Sequence, residues 1–199
     1  MTNTRTRILD IAQDAVLAKG FEATSIEEIT AAAEITKGGF FYHFADKNAL
    51  ALALVDRYID DEEALFDDLF GRAAQLSDDP LQTMLIGLKL MAELLENMPE
   101  GHPGCLVATS CYQARLFDGQ VQQANRRAML SWRARFLTMF EDIAAQHPPK
   151  DKVDLSDLAD MLSGVVEGGI ILSKAVDDPN ATARQVLMFR SYVKILFQP

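Results

Sequence analysis

Residues 36–50 read TKGGFFYHFADKNAL. Two adjacent glycines precede four side chains that are aromatic or imidazole, and Phe44 follows. Each glycine costs a helix about 1 kcal/mol relative to alanine, yet the sequence on both sides has helical spacing. Thr36 can cap a short helix carrying Lys37 to Phe44, and Asp46 can cap the next, which opens with Lys47. Upstream, residues 4–19 place Ile8, Ile11, Ala12, Ala15 and Val16 on one stripe. Gly20 supplies a stop, and Phe21 can fold back on the helix. Thr24 or Ser25 can cap a second helix ending near Ala33, with Ile26, Ile29 and Ala33 on its buried face. Ser25-x-x-Glu28 has the form of a capping box, and Glu27 and Glu28 lie in the first turn, where the dipole favours acids.

Two short helices across a brief turn, the second with a basic start, make a helix-turn-helix. Such a unit puts the N-terminus of its second helix into a major groove, where the dipole and backbone N–H groups favour phosphate. Gly38 and Gly39 then remove bulk where the helix approaches the duplex. Lys37 can reach a phosphate or a guanine edge, and Thr36 a phosphate. Tyr42 and His43 lie about one turn further on, within reach of the backbone. Phe40 and Phe44 are needed to hold the short helix against the first helix and the start of the fourth. An aromatic core knot without a ligand explains those two phenylalanines, but not Lys37 beside two glycines.

The stretch RILDIAQDAVLAKGFEATSIEEITAAAEITKGGFFYHFADKNAL resembles the TetR family of one-component bacterial repressors. The shared pattern is a first helix ending in Lys-Gly-Phe, a capped second helix with isoleucine, Thr-Lys-Gly followed by aromatics, His-Phe, and a lysine at the next helix start. The resemblance implies an all-α fold of about nine helices. Residues 1–47 would be a three-helix DNA-binding domain, and residues 48–199 a helical ligand-binding and dimerisation domain. It implies a homodimeric repressor of a palindromic operator in double-stranded DNA, released by a small-molecule inducer. The implied DNA-binding residues are Arg5, Ser25, Thr36, Lys37, Gly38, Gly39, Phe41, Tyr42, His43 and Lys47. Two positions depart from the pattern. Glu34 stands where the family usually has a left-handed glycine, at a cost of about 1 kcal/mol if the conformation is kept. Phe41 stands where a tyrosine hydroxyl often contacts phosphate.

The rest of the chain reads as helices. A long one runs from about Lys47 to Ala74, with Leu50, Leu54, Tyr58, Leu65 and Leu69 inward and an acidic outer face that reads as solvated. Others span 81–98, 104–116 (starting with a cysteine), Gly119 to Gln146, 153–176 and 182–197. The stripe of the 119–146 helix is Val121, Ala128, Met129, Trp132, Phe136, Phe140 and Ile143. The last two helices are apolar around much of their circumference. They suit a four-helix bundle across a two-fold axis, with Leu162, Val166, Gly169, Ile170, Phe189, Tyr192, Val193 and Leu196 as its contact residues; a buried internal hairpin is the other reading. An inducer site drawn from Tyr58, Met91, Cys105, Tyr112, Met129, Trp132 and Phe136 favours an apolar or aromatic ligand.

Composition sets limits on these readings. The 199 residues are 49% hydrophobic and carry a formal charge of −10. That balance disfavours a nucleic-acid coat protein and leaves room for a small DNA-reading surface. Residues 1–47 hold five basic residues and seven acids, so few phosphate contacts and a shallow salt dependence are expected. The start lacks the apolar core of a signal peptide and no run could span a bilayer, which points to a cytoplasmic protein without membrane contact. Cys105 and Cys111 do not make a metal-binding pair, so no metal or cofactor is expected. Three residues before His43, His102 and His147 stand Phe40, Pro99 and Ala144, so no Glu-x-x-His di-iron motif exists. HExxH, phosphate-loop and G-x-S-x-G motifs are also missing, and the chain does not read as an enzyme. Two alternatives stay open: a helical ligand-binding protein with weakened DNA binding, and a repressor that senses oxidants or electrophiles through Cys105 at a helix start.

Overall fold

A computed structural model of the chain describes residues 3–198. All its regular elements are helical: α1 (Thr4–Lys19), α2 (Ile26–Ala32), α3 (Lys37–His43), α4 (Lys47–Leu76), α5 (Pro80–Glu96), α6 (Leu106–Tyr112), a 3-10 turn (Ala114–Leu116), α7 (Gly119–Gln146), α8 (Leu155–Ala175) and α9 (Ala181–Phe197). No helix among the described residues is long and apolar enough to cross a membrane. The chain divides into two compact units, Met1–Asp61 with Pro103–Ala128, and Glu62–His102 with Met129–Pro199.

In the first unit the helix ends are chemically specified. Asn3 accepts the Arg5 N–H, and Gly20 (φ 86°) ends α1 with its own N–H on the Val16 carbonyl. Ser25, rather than Thr24, caps α2 by accepting the Glu28 N–H. The Glu28 carboxylate binds Lys19 at 2.5 Å, so the capping box forms in one direction only. Thr24 is buried and donates to the Gly20 carbonyl. The C-terminus of α2 is a Schellman stop: Glu34 N–H donates to Ala31 and Ile35 N–H to Thr30, with Glu34 left-handed at φ 52°. A glutamate therefore occupies the conformation that glycine adopts without a Cβ penalty. The helix expected over 104–116 is shorter. Cys105 caps it rather than starting it, and the 3-10 turn follows after Gln113. Cys105 is buried, Cys111 is exposed, and both are free of disulfides.

The second unit packs α9 against both α5 and α8. Phe136 meets Phe66 and Phe70 edge-on, at 5.3 and 5.6 Å between ring centroids. Phe140 lies beside Phe189 and stacks on Phe197. Along α4 the inward residues here are Phe66, Leu69 and Phe70, whereas Leu65 is half-buried. The acidic face of α4 is not only solvated. Glu63 accepts from Ser131 and from Arg135, and Asp67 takes a second Arg135 bond at 2.7 Å. Burial pushes the Glu63 carboxyl up, but the bonds from Ser131 and Arg135 outweigh it and hold its pKa below the ordinary value. Met129 leaves the α7 stripe and is 39% exposed, because it lies one position past the buried Ala128.

The residues expected at a dimer contact lie mostly inside the second unit. Leu162, Gly169, Ile170, Phe189, Val193 and Leu196 are buried within the chain's own second unit, and Val166 is half-buried. Of that set only Tyr192 is exposed. A Cβ on Gly169 would stand 2.8 Å from the Thr182 Cα, so this glycine serves the α8–α9 crossing inside the chain. The apolar face open to solvent is instead Met161, Ile171, Leu172, Met188, Tyr192 and Ile195, with open space over Gly164 and Gly168.

These crossings predict opposite outcomes for two glycine substitutions. Gly169→Ala should cost about 1–3 kcal/mol, since backbone blocks the new methyl. Gly71→Ala, with nothing within 4 Å of the added carbon, should gain up to about 1 kcal/mol. Chemical denaturation of the two variants beside the parent protein measures both.

Candidate nucleic-acid interface

Helix α3 has seven residues, two of them glycine. A helix of this length is not stable by itself in water, because nucleation costs more than so few hydrogen bonds return. It is held by what surrounds it. Thr36 caps it by accepting the Gly39 N–H at 3.1 Å. Phe40 is fully buried and Phe44 nearly so, with their rings 5.7 Å apart. The Arg5 guanidinium lies over the Phe44 ring at 5.2 Å, a cation–π contact that ties the start of α1 to the end of α3.

With Phe40 and Phe44 inside, the other face of α3 is bare. Phe41 is 49% exposed and Tyr42 is 85% exposed. Thr36, Lys37 and Gly38 are exposed, and Gly39 and His43 half-buried. A Cβ on Gly38 would meet nothing nearer than the Thr36 hydroxyl at 3.7 Å, and one on Gly39 nothing nearer than 3.5 Å. No neighbouring protein atom requires glycine at either place, and helix propensity argues against it.

Two lysines behave differently from a free basic surface. Lys37 is bonded to Glu27 of α2 at 2.6 Å, both side chains being well exposed. The Lys37 bond is the main reason the Glu27 carboxyl sits below its ordinary pKa. Lys47 turns inward. It donates to the Phe21 carbonyl at 2.6 Å and stands 4.6 Å from the centre of the Phe21 ring. Burial pulls its pKa down, with the Glu22 charge opposing. Ser25 is exposed but engaged as the α2 cap. So Arg5, Ser25, Thr36, Lys37, Gly38, Gly39, Phe41, Tyr42 and His43 fall on or beside the two short helices, while Lys47 braces the turn before α2.

The expected inducer residues fall in both units. In the first, Tyr58 is half-buried, Cys105 buried and Tyr112 82% exposed. In the second, Met91, Trp132 and Phe136 are buried and Met129 is part-exposed. Phe136 is already engaged with two phenylalanines. Trp132 has a buried indole N–H with no hydrogen-bond partner among the described residues. Sequence reading missed Glu27 as a partner of Lys37 and missed Gln113, whose side-chain oxygen accepts the Phe21 N–H. The Glu27 contact had a signal in its first-turn position on α2; that of Gln113 had none.

The arrangement is that of a helix-turn-helix regulatory protein, whose class acts on transcription by binding DNA. Residues 8–54 match the family model described as bacterial regulatory proteins, tetR family, so the similarity to that family rests on the N-terminal quarter of the chain. It is 26% identical over 141 residues to the transcriptional regulator AcuR of Cereibacter sphaeroides, covering 66% of this chain and 61% of that protein. It is 23% identical to the HTH-type transcriptional repressor DhaR of a Mycobacterium species, over 87% of this chain and 83% of that one. The crystal structure of regulatory protein TetR from Rhodobacter sphaeroides shares the fold with a TM-score of 0.79 at 21% identity, covering 96% of this chain and 99% of that one.

Two substitutions separate anchor from surface. Phe40→Ala should cost about 3–5 kcal/mol of stability, as expected for an emptied core phenylalanine, while Phe41→Ala should cost far less. Glu34→Gly should gain about 1 kcal/mol by relieving the left-handed residue. Thermal melts of the three variants check all of this.

Proposed function

We propose that this chain is a transcriptional repressor that binds a palindromic operator as a homodimer and is released by a small apolar or aromatic inducer. The observation that carries the reading is the bare face of α3: two glycines that the protein itself does not need, beside Lys37, Phe41 and Tyr42. Their absence of side chain makes sense if a duplex occupies that space. Residues 1–47 would supply the reading helices, and residues 48–199 the dimer contact and the inducer site, in the cytoplasm.

Two features support the dimer and the ligand. The open face of α8 and α9 carries Ile171, Leu172, Met188 and Ile195 beside two uncovered glycines; burying such a patch is favourable at about 25 cal/mol per Å². A second copy would present the same face about a two-fold axis. Release needs only an inducer that prefers a dimer whose reading helices miss their roughly 34 Å spacing. The unpartnered indole N–H of Trp132 suits a ligand acceptor atom in an otherwise apolar setting, since an unmet buried donor costs about 1–3 kcal/mol.

Selection from a random duplex pool at low salt should enrich a palindrome, and Lys37→Ala with Tyr42→Ala should lose it. Failure to enrich any sequence with a folded dimer would overturn the repressor reading. On the selected operator, Gly38→Ala with Gly39→Ala should bind at least tenfold more weakly while melting higher than the parent; equal binding would remove the argument from the bare face. Ile171→Asp with Ile195→Asp should sediment as a monomer. Trp132, the only tryptophan, should change its fluorescence on titration with aromatic candidates that also release the operator.

A further inference from the structure

The turn between α1 and α2 is held by side chains from far along the chain. Phe21 donates its N–H to the Gln113 Oε1 at 3.1 Å, across a sequence separation of 92 residues. Its carbonyl accepts from Lys47. Its ring packs on Phe117, with centroids 4.7 Å apart. The Gln113 amide also lies over Gly20, where an added Cβ would come within 3.0 Å of Nε2. The Phe21 carbonyl is met by the first residue of α4 and also by the Thr24 N–H at 3.3 Å, and the Phe21 amide by the side chain of the residue that closes α6. Phe21 is 6% exposed, so neither group can fall back freely on water.

What hangs from this turn is the reading pair. Thr24 bonds to Gly20, Ser25 caps α2, and the Schellman stop at Glu34 passes α2 directly into α3. The links from Gly20 to Thr36 are short and hydrogen-bonded, so the pose of the turn sets the pose of both helices. Behind the clamp, Val16, Phe21, Leu54, Leu106, Ser110 and Phe117 line a gap of about 10 Å³, room for about one water. The α6 segment therefore meets α1 and α4 without filling the space between them, and the hydrogen bond from Phe21 ties its end to the turn.

We infer that Gln113 is a positioning residue for DNA reading: by holding the Phe21 amide it fixes α2 and α3 in the pose that engages an operator. The inference rests on the repressor reading above. It makes the end of α6 a working part of the reader, although it lies 66 residues beyond Lys47.

The test uses the full-length dimer and two near-isosteric variants. Gln113→Met keeps the length and loses the acceptor; Gln113→Glu keeps an acceptor oxygen. Operator affinity is read by fluorescence anisotropy on the selected palindrome, and amide hydrogen exchange is read residue by residue. Gln113→Met should bind the operator roughly tenfold more weakly, as for one lost hydrogen bond to a buried donor. Exchange should rise at Phe21 and through α2 and α3, while α8 and α9 stay protected. Gln113→Glu should restore most of the affinity and the protection. Unchanged affinity in Gln113→Met would overturn the inference. So would a loss shared equally by both variants together with exchange rising across the whole chain, which marks Gln113 as merely structural. If the parent protein selects no operator, the repressor reading fails by itself. Exchange confined to Phe21, α2 and α3 in Gln113→Met would still support the clamp, and unchanged or uniform exchange would overturn it.

Discussion

A seven-residue helix containing two glycines cannot hold itself together, and the first unit is organised around that constraint. Intrinsic propensity works against α3, so its geometry must come from tertiary contacts. Phe40 and Phe44 supply the buried side, Thr36 the cap, and Arg5 a cation over the Phe44 ring. The two phenylalanines and the arginine use the side of α3 that turns inward, and the cap sits at its exposed start. The cost of the glycines is therefore met by neighbours, and the outward face carries only the exposed Lys37–Glu27 pair and the Phe41 edge contact to Phe40.

Charge on this surface is arranged in pairs rather than in excess. Lys37 is matched by Glu27 and Lys19 by Glu28. Both pairs are exposed, so each contributes little to stability and is screened by salt. A phosphate approaching Lys37 competes with one carboxylate rather than meeting an open cation. A surface whose lysines are matched by acids can still suit site selection, because shape and base contacts specify where phosphate contacts only position.

The helices, their caps and the reading motif were legible in sequence because they are local. Gly20, Ser25, Thr36 and the apolar stripes act within a few residues of where they sit. The left-handed site at Glu34 was also legible, through the family pattern, and its φ of 52° agrees with it. Three features were not. Lys47 looked like a basic helix start and turned inward, because the Phe21 carbonyl and ring outcompete solvent for it. The split of α8 and α9 into buried and open faces was not legible either, because helices apolar around much of their girth give periodicity little to discriminate. Gln113 is a plain glutamine at a helix end. Its partner is set by tertiary packing, which no local pattern encodes.

The Phe21 clamp also bears on the order in which the protein comes into being. Residues 20–44 leave the ribosome early, but the acceptor for the Phe21 amide arrives 92 residues later. At synthesis rates of about 5–20 residues per second, that is a wait of roughly 5–20 s. The Phe21 carbonyl finds its partners early, in Thr24 and then Lys47, while the amide still waits. A half-made chain therefore has α2 and α3 without the full support of the turn that precedes them, which is complete only once α6 has been made and docked.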